Sequence, residues 1–132
     1  MLIFHFLPKR NHMLILLIDD DADAVELYKE FFGLLGHEVH LARTAYDALN
    51  LVTKHEYDGI VLDILLPDLD GYALASRIRR LLAFRRRVSI VALSGMPFDP
   101  AHPLAAEANF DAYLLKPAHL DVILAALERC GA

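Results

Sequence analysis

Three kinds of side chain in this 132-residue chain could do chemistry together: the carboxylates closing "ILLIDDD" (15–21) and "GIVLD" (59–63), the hydroxyl closing "IVALS" (90–94), and the ammonium closing "AYLLK" (112–116). Each group follows an apolar run of strand length. If the ends of those runs converge, Asp19, Asp20, Asp63, Ser94 and Lys116 share one site. Three ionised carboxylates that close raise one another's pKa values unless a cation sits among them. Mg²⁺, or Mn²⁺ in its place, suits such a cradle, because a hard ion takes oxygen ligands and is held by one or two carboxylates with waters and phosphate oxygens completing the shell. A site of that kind leaves room for a phosphoryl group, and a carboxylate can be the nucleophile that accepts it. Asp63 is best placed for that role, with Lys116 and the Ser94 hydroxyl contacting the phosphoryl oxygens.

The elements around these residues alternate. Apolar, strand-like runs occur at 13–18, 38–42, 59–64, 88–93 and 111–115. Segments of helical spacing follow at 22–36, 44–54, 72–84, 103–110 and 119–130. This is a (βα)5 pattern, an α/β fold that implies a doubly wound parallel sheet with right-handed crossovers and helices on both faces. In such sheets ligands bind beyond the carboxyl ends of the strands, which is where the five polar residues fall.

Composition agrees. At 132 residues, 56% of them hydrophobic, the chain supports one domain with segments buried on both sides. A formal charge of −5 argues against general nucleic-acid binding. The single cysteine, Cys130, forms no internal disulfide and fits a reducing, cytoplasmic setting. Residues 1–12 contain no bilayer-length apolar run and carry their positive charge after it, so neither membrane insertion nor a signal peptide is expected. We read 1–12 as an extension (a tag, an upstream start or a docking arm) before a domain spanning 13–132.

The motifs "ILLIDDD", "YDGIVLDILLPDLDG", "IVALSG" and "AYLLKP" resemble, in order and approximate spacing, the four signatures of response-regulator receiver domains of two-component signalling. The likeness covers about residues 13–130. It implies the flavodoxin-like strand order 2-1-3-4-5, Asp19 and Asp20 as metal-holding acids, and Asp63 as phosphoacceptor and metal ligand beside the backbone carbonyl of Leu65. It further implies Ser94 as the switch hydroxyl, Lys116 as the conserved-type lysine, a cis bond between Lys116 and Pro117, and Tyr113 as the aromatic switch.

Leu65 and Met96 occupy the positions that tune hydrolysis in such domains, often with polar side chains. Both are apolar here, so slow self-dephosphorylation is expected. Three prolines, at 97, 100 and 103, put the usual switching geometry of the following loop in question. The implied function is that of a signalling phosphoacceptor rather than an enzyme acting on other substrates. It is charged by a histidine kinase or histidine phosphotransfer protein, and it switches the face of helix four, strand five and helix five for a docking partner or a homodimer. Helix one, with Phe31, Phe32 and Leu35, is the expected kinase-docking surface. Because the chain ends at Cys130-Gly131-Ala132, just past helix five, either a single-domain protein or a receiver cut from a longer regulator or hybrid kinase is expected.

Rival readings are weaker. An aspartyl phosphatase needs a second carboxylate two residues after the nucleophile, where Leu65 stands. A nucleotide or flavin binder wants a glycine- or hydroxyl-rich first loop rather than "DDDAD". A phosphorylation-independent interaction module would have no need of the complete set of polar strand ends. Asp21 and Asp23 are expected to cap a helix and occupy its first turn, and Arg77, Arg79, Arg80, Arg85, Arg86 and Arg87 to form a solvated helix face. The scattered histidines are assigned to neither metal nor phosphorelay.

Overall fold

The computed structural model describes residues 12–130, without the side chain of Cys130. The expected N-terminal extension therefore lies outside the described residues, apart from His12, whose Nδ1 meets the Gly36 carbonyl.

Five apolar runs become five strands: β1 (Leu14–Ile18), β2 (Glu38–Ala42), β3 (Gly59–Asp63), β4 (Ser89–Ser94) and β5 (Ala112–Leu115). Between and after them come α1 (Ala22–Leu34), α2 (Ala45–Lys54), α3 (Gly71–Leu81), α4 (Ala105–Ala108) and α5 (Leu120–Cys130). All the strand pairings are parallel, in the order β2-β1-β3-β4-β5. The chain reverses direction across the sheet between β1 and β3, so the ends of those two strands open into one crevice.

Pleating sends alternate residues of the central strands into two cores. Ile15, Leu17, Val61, Val91 and Leu93 meet Phe32 of α1 and Ile123, Leu124 and Leu127 of α5. On the opposite face Leu16, Ile18, Ile60, Leu62 and Ile90 meet Ala48 and Val52 of α2, and Leu74, Ala75 and Ile78 of α3. Burial on both sides explains why β1 and β3 read as unbroken apolar runs.

The helix starts are set by side chains that occupy otherwise unpaired N–H groups. Asp21 accepts from the amides of Asp23 and Ala24, Thr44 from Asp47, and Asp70 from Tyr72. The first residue of α3 is glycine because nothing larger fits: a Cβ there would lie 2.6 Å from the Cα of Ile64. That close approach presses α3 against the residue that follows Asp63.

Three expectations change. The fourth helix, expected over 103–110, is a single turn, because the proline-rich loop leaves it without a side-chain cap and Asn109 turns left-handed (φ 48°) immediately after it. Phe32 is not part of a docking surface, since it is fully buried between α1 and the sheet; the exposed apolar residues near it are Leu27, Leu34 and Leu35. The arginine run is not one solvated face. Arg79 is largely buried and donates to the carbonyls of Val88, Ala108 and Asn109 and to the Asp111 carboxylate at 3.0 Å.

Candidate functional site

Asp19 and Asp63 are the residues at which β1 and β3 leave the sheet. Both are buried, at 4% and 7% exposure. Their backbones remain tied to the ladder: the Asp19 amide donates to the Ala42 carbonyl at 3.0 Å, and the Ile64 amide after Asp63 donates to Leu93 at 3.0 Å. One oxygen of each carboxylate is satisfied by its own loop. Asp19 Oδ1 accepts from the Asp21 amide at 2.9 Å, and Asp63 Oδ1 accepts from the Leu65 amide at 3.2 Å. The remaining oxygen of each, Oδ2, faces the Lys116 ammonium.

Asp20 joins them from the exposed side, and one oxygen from each of Asp19, Asp20 and Asp63 lies within 4.8 Å of the other two. This trio is the one group of three or more such side chains with metal-ligand geometry among the described residues. Lys116, just beyond β5, brings Nζ to 3.3 Å from Asp63 Oδ2 and 3.8 Å from Asp19 Oδ2. The peptide bond that follows it, to Pro117, is cis.

The charges are poorly balanced. Burial, chiefly, holds the Asp19 carboxyl above the usual aspartate range; the Asp21 amide opposes this, Asp63 reinforces it, and Lys116 opposes it. For Lys116, burial alone would lower the pKa, but the Asp19 and Asp63 carboxylates outweigh it and keep the ammonium above its ordinary value. Asp19 Oδ2 is buried and accepts no hydrogen bond. An unsatisfied buried carboxylate oxygen, next to two more hard oxygens and with a single ammonium nearby, fits a divalent cation of the Mg²⁺ type.

The other expected residues line the same end of the sheet. Ser94 is buried at the end of β4, accepts from the Met96 amide at 3.0 Å, and its carbonyl receives the Lys116 amide at 2.8 Å. Tyr113, on β5, donates its hydroxyl to the Met96 carbonyl at 2.9 Å. Burial, chiefly, raises its pKa, the Ser94 hydroxyl pulling the other way. Leu65 and Met96 stand on the rim with their apolar side chains 65% and 64% exposed, so neither offers a polar atom to a water at the site.

Sequence reasoning missed several neighbours. Arg43, just past β2, donates to the Asp20 carbonyl at 3.1 Å and fixes that loop. Tyr28, on α1, has its phenol held up by burial first and then by the Asp19 charge, which puts it beside the acidic pocket. Asp70, Tyr72 and His102 bind the β4–α4 loop to the start of α3. His102 Nε2 pairs with Asp70 Oδ2 at 2.8 Å, its ring stacks on Tyr72 at 4.1 Å, and the Tyr72 hydroxyl accepts from the Asp99 amide at 2.9 Å. Nothing local in the sequence links Asp70 to His102, which lies 32 residues further along the chain.

An open parallel sheet with an acidic pocket at the carboxyl ends of β1 and β3, and a lysine reaching in from β5, defines a recognised class. The family model for the response regulator receiver domain matches residues 15–128, and the chain belongs to that family, which works in two-component signalling. It is 31% identical over 113 residues to the sensor histidine kinase RcsC of Escherichia coli (strain K12), covering 86% of this chain and 12% of that protein. It is 31% identical over 109 residues to the probable transcriptional regulator ycf27 of Cyanidium caldarium, covering 83% and 42%. The chain thus spans a minor part of these relatives.

Among solved structures, a response regulator from Burkholderia pseudomallei with a phosphorylated aspartic acid, a calcium ion and citrate superposes with a TM-score of 0.77 at 26% identity, covering 89% of this chain and 68% of the other. A CheY-like receiver domain protein from Methanospirillum hungatei JF-1 shares the fold at a TM-score of 0.81 and 24% identity, covering 92% and 94%. No helix among the described residues is long and apolar enough to cross a membrane.

Proposed function

We propose that Asp63 accepts a phosphoryl group from a phosphohistidine on a histidine kinase or histidine phosphotransfer protein. A carboxylate oxygen of Asp63 forms a bond to phosphorus while the bond from phosphorus to the donor imidazole nitrogen breaks. The imidazole departs with that electron pair and takes up a proton. Lys116 supports the negative charge on the transferring group, and the Ser94 hydroxyl donates to one of its oxygens. Asp19, Asp20, Asp63 and the Leu65 carbonyl would hold Mg²⁺, or Mn²⁺, which neutralises phosphoryl charge when bound. The observation that carries this reading is the Asp63 carboxylate, held 3.3 Å from the Lys116 ammonium and with an oxygen within 4.8 Å of one from Asp19, whose Oδ2 is buried and unsatisfied.

In this reading, phosphorylation draws Ser94 toward the new group, releases Tyr113 from the Met96 carbonyl, and remodels the face of α4, β5 and α5 for a partner or a second copy. The domain, residues 13–132, acts as a cytoplasmic signalling phosphoacceptor and turns over only its own phosphate. The apolar rim at Leu65 and Met96 positions no attacking water, so the aspartyl phosphate is long-lived. Hydrolysis as fast as in a chemotaxis-type receiver would contradict that.

The test is intact mass after incubation with acetyl phosphate and Mg²⁺, with Asp63→Asn and a chelator as controls. One added phosphoryl group that requires both Mg²⁺ and Asp63 supports the proposal. Absence of the gain with acetyl phosphate and also with a phosphorylated phosphotransfer protein refutes it.

A further inference from the structure

Charge is distributed unevenly across the sheet. Residues 19–30 contain six acidic residues and one lysine, whereas residues 71–87 contain six arginines and no acid. The two segments lie on opposite faces, since α1 packs on the core with α5 and α3 packs on the core with α2.

Part of the arginine excess is used internally. Arg79, Arg86 and Arg87 pair with Asp111, Asp58 and Asp111. The guanidinium groups of Arg77 and Arg80 are exposed and make no ion pair or hydrogen bond among the described residues. Together with Leu49 and Leu81 they line a shallow groove between α2 and α3. Leu81 is 51% exposed, and Phe84, in the turn three residues past the end of α3, is fully exposed. Arg77, Arg80 and Leu81 share the spacing of one helix face, and Phe84 follows them in the turn beyond it.

The acidic face has the matching pattern. Glu26, Leu27, Glu30 and Leu34 recur at helical spacing on α1, all exposed, and Glu26, Glu30 and Leu34 line a second shallow groove with Lys29 and Gly33. Neither glutamate carries an ion pair among the described residues. Each stripe thus has two unpaired charges of one sign beside large exposed apolar side chains, and the signs are opposite. Large apolar side chains left in water beside unpaired charges mark a contact surface.

We propose that the Arg77–Arg80–Leu81–Phe84 face of one copy docks, head to tail, on the Glu26–Leu27–Glu30–Leu34 face of a second copy of this chain. A symmetric contact through either stripe alone would oppose like charges, so the pairing is heterologous, and each added copy leaves one free stripe at either end. A contact of two helix faces is small, so association is weak, and salt lowers it by screening the rim charges.

The test is sedimentation velocity of the full chain from about 10 µM to about 1 mM, a range that brackets a weak interface of this size, at low and high salt. Phe84→Asp disables the α3 stripe and Leu34→Asp the α1 stripe; both side chains are exposed, so circular dichroism should show unchanged folding. The proposal expects the native chain to grow in mass with concentration, with no limit at two copies, and to shrink with salt. It also expects each variant alone to remain monomeric and their equimolar mixture to form a species of two copies and no more, because only one intact pair of stripes is available. A native chain that stays monomeric, variants that associate as the native chain does, or a mixture that stays monomeric would each overturn it; the second of these would locate the contact elsewhere, as on the α4–β5–α5 face.

Discussion

Replacing Asp19 by Asn should stabilise the protein in a chelator and leave it the less stable of the two in Mg²⁺. With an effective dielectric constant of about 20, the repulsion between Asp19 and Asp63, no more than 4.8 Å apart, is at least about 3.5 kcal/mol, and the attraction of Asp19 to Lys116 at 3.8 Å is about 4.4 kcal/mol. Asp20 is exposed, and water reduces its repulsion to about 1 kcal/mol. These terms nearly cancel. What remains is the desolvation of a carboxylate at 4% exposure with one oxygen unsatisfied, which is also the largest cause raising its pKa.

An amide keeps the acceptor for the Asp21 N–H, replaces the orphaned oxygen with a donor facing Asp63, and carries no charge to desolvate. A gain of about 1–2 kcal/mol is expected, because an unsatisfied buried polar group costs about 1–3 kcal/mol. Mg²⁺ at about 100 times its dissociation constant stabilises the native chain by about 2.7 kcal/mol, and the variant by far less. In thermal melts followed by circular dichroism, a difference of 1 kcal/mol corresponds to roughly 3–5 °C for a chain of this length. Asp19→Asn should therefore melt several degrees above the native protein in EDTA and below it in saturating Mg²⁺. A variant that melts lower in EDTA would refute the desolvation argument, and equal Mg²⁺ gains in both proteins would remove Asp19 from the metal site.

Other consequences of the geometry can be measured separately. Gly71→Ala places a methyl 2.6 Å from the Ile64 Cα and should cost about 1–3 kcal/mol by urea unfolding, the usual range for overpacking. Arg79→Met removes donors from three carbonyls and from Asp111, which keeps Arg87 and the Ile90 amide; a loss of about 3 kcal/mol is expected, with faster amide exchange across residues 105–112. The Tyr57 phenol, pushed up to about 12 by burial and then by Glu38, binds its proton more tightly folded than unfolded. Its stabilising contribution is complete below the unfolded value near 10 and is lost as pH rises through about 12, and Tyr57→Phe should flatten that alkaline fall.

The strands and the acidic pocket were legible in the sequence for one reason: a parallel strand buried on both faces is an unbroken apolar run, and it must end where the chain reaches water. Asp19, Asp63, Ser94 and Lys116 each mark such an end, so their convergence followed from topology. What stayed hidden depended on phase or on distant partners. Phe31 and Phe32 look equivalent in sequence, yet the turn of α1 buries Phe32 completely and leaves its neighbour only partly buried. Arg79 sits among five other arginines, and only the approach of Asp111 and three carbonyls makes it structural. The fourth helix has adequate local propensity, but three prolines and the left-handed Asn109 confine it to one turn.

Two connections run from the acidic pocket to the β4–α4 loop, and they hold it at different points. Ser94 and Tyr113 both bond to the Met96 backbone, the hydroxyl of Ser94 to its amide and that of Tyr113 to its carbonyl, and so grip the start of the loop. The second connection begins at Leu65, which forms a bridge with Asp70 across the β3–α3 turn. Asp70 caps α3 and pairs with His102, whose ring lies on Tyr72, whose hydroxyl in turn receives the Asp99 amide. Glu107 extends the hold by accepting from Ser76 at 2.7 Å, and Arg79 completes it at residues 108–111. A displacement of the β3–α3 turn beside Asp63 therefore reaches Asp99 and His102 through α3 without passing through Ser94. The two routes meet in the aromatic contacts of Tyr113 with Tyr72, Phe98 and Phe110. Because the prolines leave this loop little helical hydrogen bonding of its own, its position is set by these external contacts, and a change at either anchor can move it as a unit.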